Sequence, residues 1–223
     1  MKKTKKIGII GGMGPFASAN FLQSLLKEIS IQGINMPEII LDSVAIKDFI
    51  SDEKEVKPAL ILLKDRVNQL DNLNVDLIVM TCNTAHILHP QLSKNSRALF
   101  PSLIDLVEKE VGKSNLNRIG LLATPTTIKA NLYSNKILPS KKLQKILEKL
   151  IKKAIISPVS LHEDEQLILE VQKFINKSSL DGLILGCTEL SLIFPDPKIF
   201  KVPVFNSLIV LTNSVINFLN VKI

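Results

Sequence analysis

A chain of 223 residues that is 46% hydrophobic and 22% charged has ordinary globular usage, which excludes a disordered or low-complexity segment and leaves room for one large α/β domain or two small lobes. Aromatic residues make up only 4% and Trp is absent, which argues against a stacking platform for single-stranded nucleic acid. Much of the formal charge of +7 sits on Lys2, Lys3, Lys5 and Lys6 and on an amphipathic stretch carrying Lys136, Lys141, Lys142, Lys145, Lys149, Lys152 and Lys153, a solvated helix face with no nucleic-acid-binding motif beside it.

In chain order, short apolar runs predict strands at 7–10, 39–41, 77–80, 98–100, 119–122, 183–185 and 202–205, with a weaker eighth at 155–159. Helical spacing of apolar residues predicts helices at 16–31, 57–73, 103–111, 166–175 and 208–219. Strands alternating with helices imply parallel sheets covered on both faces. Glycines interrupt the apolar run behind the N-terminal lysines, unlike a signal peptide. No apolar run reaches the roughly 18 residues of a membrane span. A cytoplasmic protein with no membrane partner is expected.

The alternation contains a repeat. Lys6-Ile7-Gly8-Ile9-Ile10 is echoed by Arg118-Ile119-Gly120-Leu121-Leu122, and Asp76-Leu77-Ile78-Val79-Met80-Thr81-Cys82 by Asp181-Gly182-Leu183-Ile184-Leu185-Gly186-Cys187. Ile7 precedes Cys82 by 75 positions and Ile119 precedes Cys187 by 68, so each half places its cysteine at the same step of one βα plan. Two similar lobes follow, 1–112 and 113–202, with the last helix, within 203–223, returning to the first.

Two cysteines are too few for a disulfide framework and lack the spacing of a zinc site. A lone cysteine is ordinarily a buried structural thiol, but two at equivalent positions of a repeat point to chemistry. Each follows a strand and precedes a helix start, where ligands bind in open α/β sheets and amide donors are available. The dipole of such a helix is expected to lower the thiol pKa from about 8.5 toward neutrality. Inverting a stereocentre needs one group to remove a proton from one face of Cα and a second to deliver one to the other. A pseudo-twofold pair of thiols, Cys82 and Cys187, supplies both.

Charge develops on the substrate carboxylate as the proton leaves, so donors arranged around it carry much of the acceleration. The loop Gly11-Gly12-Met13-Gly14-Pro15 suits that duty, since glycine lets backbone approach a ligand and Pro15 fits the first helical position. Asn83 and Thr84 beside Cys82, and Thr188 beside Cys187, are placed to bond an α-carboxylate or α-amine. Thr124, Thr126 and Thr127 stand where the second half repeats the glycine loop, as ligand contacts or as turn and cap residues. His86 reads chiefly as a packing and capping residue, and His89 and His162 carry no separate signal.

Gly11-Gly12-Met13-Gly14-Pro15, Thr81-Cys82-Asn83-Thr84-Ala85-His86, Gly120-Leu121-Leu122-Ala123-Thr124 and Gly186-Cys187-Thr188-Glu189-Leu190 together resemble, in order and spacing, the aspartate/glutamate racemase family. The resemblance covers nearly the whole chain. It implies two flavodoxin-like lobes with the active site in the cleft between them, no pyridoxal phosphate or metal, and a homodimer. It also implies Cys82 and Cys187 as the acid/base pair, with substrate contacts from Asn83, Thr84 and Ala85, together with Met13, Thr124, Thr127 and Thr188. A small, acidic amino acid, aspartate or glutamate, is the substrate class implied.

Two positions depart from the family pattern. Aspartate-specific members carry Ile-Pro-Asp-Arg after the second strand, where this chain reads Ile46-Lys47-Asp48-Phe49. Lys47 offers only a point charge in place of a bidentate fork, and Phe49 makes that wall more apolar. A family lysine ahead of the second cysteine has no clear counterpart in Lys173 or Lys177. Three rivals remain: a hydantoin racemase or maleate isomerase-like enzyme on the same fold, a non-catalytic amino-acid-binding protein, and a dinucleotide-binding protein using Gly12-Met13-Gly14-Pro15-Phe16-Ala17 with Asp42. A disulfide switch fits poorly with a substrate lying between the thiols.

Overall fold

A computed structural model describes residues 4–46, 55–157 and 165–221. Among them, β1 (Lys6–Gly11), β2 (Glu38–Ser43) and β3 (Leu77–Met80) form one parallel sheet in the order β2-β1-β3. β4 (Ile119–Ala123), β5 (Gly182–Gly186) and β6 (Val204–Asn206) form a second parallel sheet in the order β4-β5-β6. The segment predicted as a strand at 98–100 contributes a single parallel bridge, Leu77 with Leu99, and Ile137 bridges Gly120 likewise. With these bridges each sheet gains a fourth position, and the two sheets become equivalent in order.

The helices are α1 (Pro15–Ile31), α2 (Val56–Asn72), α3 (His89–Ser93), α4 (Leu103–Gly112), α5 (Pro125–Lys129), α6 (Lys141–Ile156), α7 (Glu165–Lys177), α8 (Leu190–Ile193) and α9 (Ser207–Asn220). The weak strand expected at 155–159 is corrected. Ile155 and Ile156 belong to the last turn of α6, where Ile155 packs beside the apolar stripe of Leu143, Leu147 and Ile151 and Ile156 is exposed, and 158–159 lie outside the described residues. A helical period extending through the run outweighs the local β-propensity of two isoleucines.

Three apolar cores separate the layers. Ala59, Leu63, Val67 and Leu70 of α2 cover the outer face of the first sheet with Ile10, Ile78 and Met80. Leu143 and Leu147 of α6 and Val171 and Phe174 of α7 cover the second sheet with Leu122, Leu183 and Leu185. A third core lies between the sheets, where Phe21, Leu25, Val107, Leu211 and Val215 from α1, α4 and α9 meet Ile9, Val79, Leu121 and Ile184. Each such side chain contributes about 1.5–3 kcal/mol on burial.

Strand β6 pairs with β5, but α9 turns back onto α4 and α1. The last carbonyls of α9 are held by Lys5, whose Nζ donates to Phe218 O and Val221 O at 2.6 Å each and lies 4.7 Å from the Phe218 ring centroid. A cation there satisfies acceptors that have no partner in the helix and faces the negative end of its dipole.

Candidate active site

The strand ends position the site. At the end of β1 the chain turns through Gly12 with φ of +89°, and a Cβ there would strike the Val44 backbone, so only glycine fits. Ser18 on α1 fastens this loop. Its hydroxyl accepts from Gly12 N at 3.1 Å, donates to Gly14 O at 3.0 Å, and lies 2.9 Å from Thr81 Oγ1. Met13 packs against the outer core of the first lobe, and so does Cys82.

Half-buried Cys82 follows β3 and buried Cys187 follows β5. The two loops meet: Thr188 donates through Oγ1 to Thr81 O at 3.2 Å, so the residues adjoining the two cysteines are bonded to each other. The Cys187 thiol donates to Glu189 Oε2 at 2.9 Å, and the same oxygen lies 3.2 Å from Thr188 Oγ1. Glu189 is only 5% exposed, and its other carboxylate oxygen abuts Gly14, where any side chain would overlap it.

These surroundings reverse the expected lowering of the thiol pKa. Burial pushes Cys82 up to about 12 and the Glu189 carboxylate adds to the rise, while the amides of Ala85 and Thr84 pull it down. Cys187 is likewise pushed well up by burial, by the charge and hydrogen bond of Glu189, and by Cys82. The amide donors predicted at Cys82 are present, but Thr84–Ile87 is a single turn of 3-10 helix and α8 has four residues. So short a helix offers little dipole to oppose desolvation. Burial also raises the Glu189 carboxyl, against the bonds from Cys187 and Thr188.

Three threonines join the lobes beside Cys82. Thr84 Oγ1 lies 3.0 Å from Thr124 Oγ1 and 2.9 Å from Thr127 Oγ1, and Thr124 and Thr127 are 3.0 Å apart. Thr124 also caps α5 by accepting from Thr127 N. Ala85 is buried in the outer core, so its amide rather than its side chain serves the thiol. Asn83 is held from both sides, accepting from the Tyr133 hydroxyl and donating to Ser207 Oγ at 2.9 Å.

His86 braces the first cysteine loop. Its Nε2 accepts from Leu103 N at 3.0 Å, which places the ring proton on Nδ1, and Nδ1 donates to Cys82 O at 2.7 Å. Burial lowers its pKa to about 3. His89 stacks on His86, and its Nε2 donates to Phe100 O at 3.0 Å.

Cys82, Asn83, Thr84, Thr124, Thr127 and Thr188 are therefore brought together, and Met13 flanks them in the apolar wall. Glu189, Tyr133 and Ser207 were missed as site residues; Glu189 stood in a quoted motif, but nothing in the sequence joins Tyr133 or Ser207 to Asn83. Lys47, Asp48, Phe49 and His162 lie outside the described residues. Lys173 pairs with Glu170 on an exposed face of α7, and Asp42 lies 3.7 Å from Arg66. Among the described residues no His, Cys, Asp or Glu cluster is placed to hold a metal, and no helix is long and apolar enough to cross a membrane.

Similarity to known proteins follows the same lines. An aspartate racemase homologue from Pyrococcus horikoshii has a solved structure that superposes with a TM-score of 0.81 at 26% identity, covering 98% of this chain and 100% of that one. The broad specificity amino-acid racemase RacX of Bacillus subtilis is 23% identical over 228 residues, 95% of this chain and 96% of its own. A glutamate racemase from Histophilus somni is 30% identical over 149 residues, 64% of this chain; the chain spans 55% of that curated relative, about half its length. The model of the Asp/Glu/Hydantoin racemase family matches residues 10–215, and with both cysteine loops inside that span the chain belongs to this family.

Proposed function

We propose that this chain is a racemase or epimerase of a small amino acid that works without pyridoxal phosphate, moving the Cα proton between Cys82 and Cys187. One observation carries the reading: the two cysteine loops are bonded through Thr188 and Thr81, with Glu189 accepting from one thiol and its charge acting on the other. Both thiols rest protonated, and the Glu189 carboxylate is the acceptor for the Cys187 proton. Once that proton has moved, the Cys187 thiolate removes hydrogen from one face of Cα and the Cys82 thiol delivers its own to the opposite face. The roles exchange in the reverse direction. Backbone amides at Thr84 and Ala85 favour the thiolate left on Cys82, and the threonine hydroxyls are donors for the substrate carboxylate.

Aspartate and glutamate are the first substrates to try, as the family description suggests. A second reading, neutral amino acids of similar size, has its own support: among the described residues the only charge shifting Cys82 is the carboxylate of Glu189. A fixed negative charge near the reacting carbon disfavours a second substrate carboxylate. A homodimer in the cytoplasm completes the proposal. The deciding experiment incubates the enzyme with L- and D-amino acids in heavy water and follows Cα exchange by NMR. Exchange into both enantiomers of one substrate supports the reading; exchange into none removes it.

A further inference from the structure

Tyr133 is the single tyrosine of a chain without Trp, and it is 3% exposed. It lies beyond α5, among the elements of the second sheet, yet its hydroxyl donates to Oδ1 of Asn83, the residue after Cys82. Asn83 donates onward to Ser207, the first residue of α9. The ring of Tyr133 faces the second cysteine loop. A Cβ on Gly186, the residue before Cys187, would come within 2.8 Å of Leu121 Cδ1 and 3.0 Å of Tyr133 Cε2, so glycine at that position lets both side chains lie against β5. Burial, and after it the charge of Glu108, raise the pKa of the phenol, so Tyr133 keeps the proton it donates.

We propose that Tyr133 is a positioning residue that sets the spacing of the two thiols by bracing Asn83, beside Cys82, against Gly186, beside Cys187. This rests on the two-thiol reading above. Both sulfurs must address opposite faces of one carbon, and a misplacement of about 1 Å can cost on the order of 100-fold in rate. Asn83 lies three residues past β3 and stands at the N-cap of a single helical turn, so its side chain is a handle by which the second lobe holds the first cysteine loop. Neither Tyr133 nor Ser207 needs to touch the substrate for this.

Tyr133→Phe keeps the ring and removes the hydroxyl. Thr212→Ala is the control, because it removes another buried hydroxyl, one bonded to Leu208 O within α9. The expected result is a kcat lower by on the order of 10- to 100-fold in both directions for Tyr133→Phe, with a melting temperature no lower than that of Thr212→Ala and wild-type kcat in the control. A second readout needs no turnover: alkylation by iodoacetamide, resolved by peptide mass spectrometry, should be several-fold faster at Cys82 in Tyr133→Phe and unchanged in Thr212→Ala. Wild-type kcat in Tyr133→Phe, or wild-type alkylation at Cys82, overturns the proposal. Faster Cys82 alkylation in a protein that racemises no amino acid removes the proposed function while supporting the bracing of the thiols.

Discussion

Replacing Glu189 by Gln separates two effects that a single base would join. The carboxylate accepts a hydrogen bond from the Cys187 thiol at 2.9 Å and in the proposed relay takes its proton, which a neutral amide cannot do. Loss of a positioned proton acceptor costs about 10²- to 10⁴-fold, equivalent to about 3–5 kcal/mol of barrier, so kcat should fall by that factor in both directions. The same substitution removes a negative charge that helps raise both thiols. Thiol ionisation should therefore become easier, and iodoacetamide should react with Cys82 and Cys187 at a lower pH than in the wild type, although burial keeps both above their ordinary value. Slower racemisation with faster alkylation is the signature, read by NMR exchange in heavy water and by alkylation rate against pH. A Glu189→Gln enzyme with wild-type kcat refutes the relay, and unchanged alkylation refutes the electrostatic argument. Glu189→Asp, which keeps the acceptor but draws it back, should fall between the two.

In the proposed scheme each thiol serves one face, so Cys82→Ser and Cys187→Ser should each abolish racemisation; either variant racemising at the wild-type rate contradicts the two-base scheme, and residual exchange into one enantiomer alone would assign the faces. His86 should make the fold acid-sensitive: its pKa falls from 6.5 to about 3 in the folded state, so the stability it confers is whole above pH 6.5 and is lost progressively as pH drops toward 3. That window is worth on the order of 5 kcal/mol, and urea titrations at several pH values should give a flatter acid limb for His86→Gln. Gly14→Ala should lower kcat with little loss of melting temperature, since its methyl would displace the Glu189 carboxylate; normal turnover in that variant would mean that Glu189 need not be held where it is.

The alternation of apolar strands and amphipathic helices was readable because both periods are strong in this chain, and the repeated β-strand-to-cysteine steps located both thiols. What failed did so for identifiable reasons. Ile155 and Ile156 look like a strand start when read locally and are taken up by the last turn of α6. The thiol environment was misjudged because a helix start is visible in sequence, whereas its length and the depth of burial are tertiary properties. Tyr133 and Asn83 are 50 positions apart, and their bond exists only because the lobes face each other. Glu189 had a visible signal, a carboxylate two residues past a cysteine, but its orientation toward the sulfur depends on the absence of a side chain at Gly14.

The path of the chain crosses between the lobes twice, and the second crossing is fastened to the first cysteine loop. It passes from the first lobe to the second between α4 and β4, and returns between Asn206 of β6 and Ser207 of α9. Ser207 opens the return to the first lobe and is bonded to Asn83, so the second crossing of the chain and the residue beside Cys82 share one anchor.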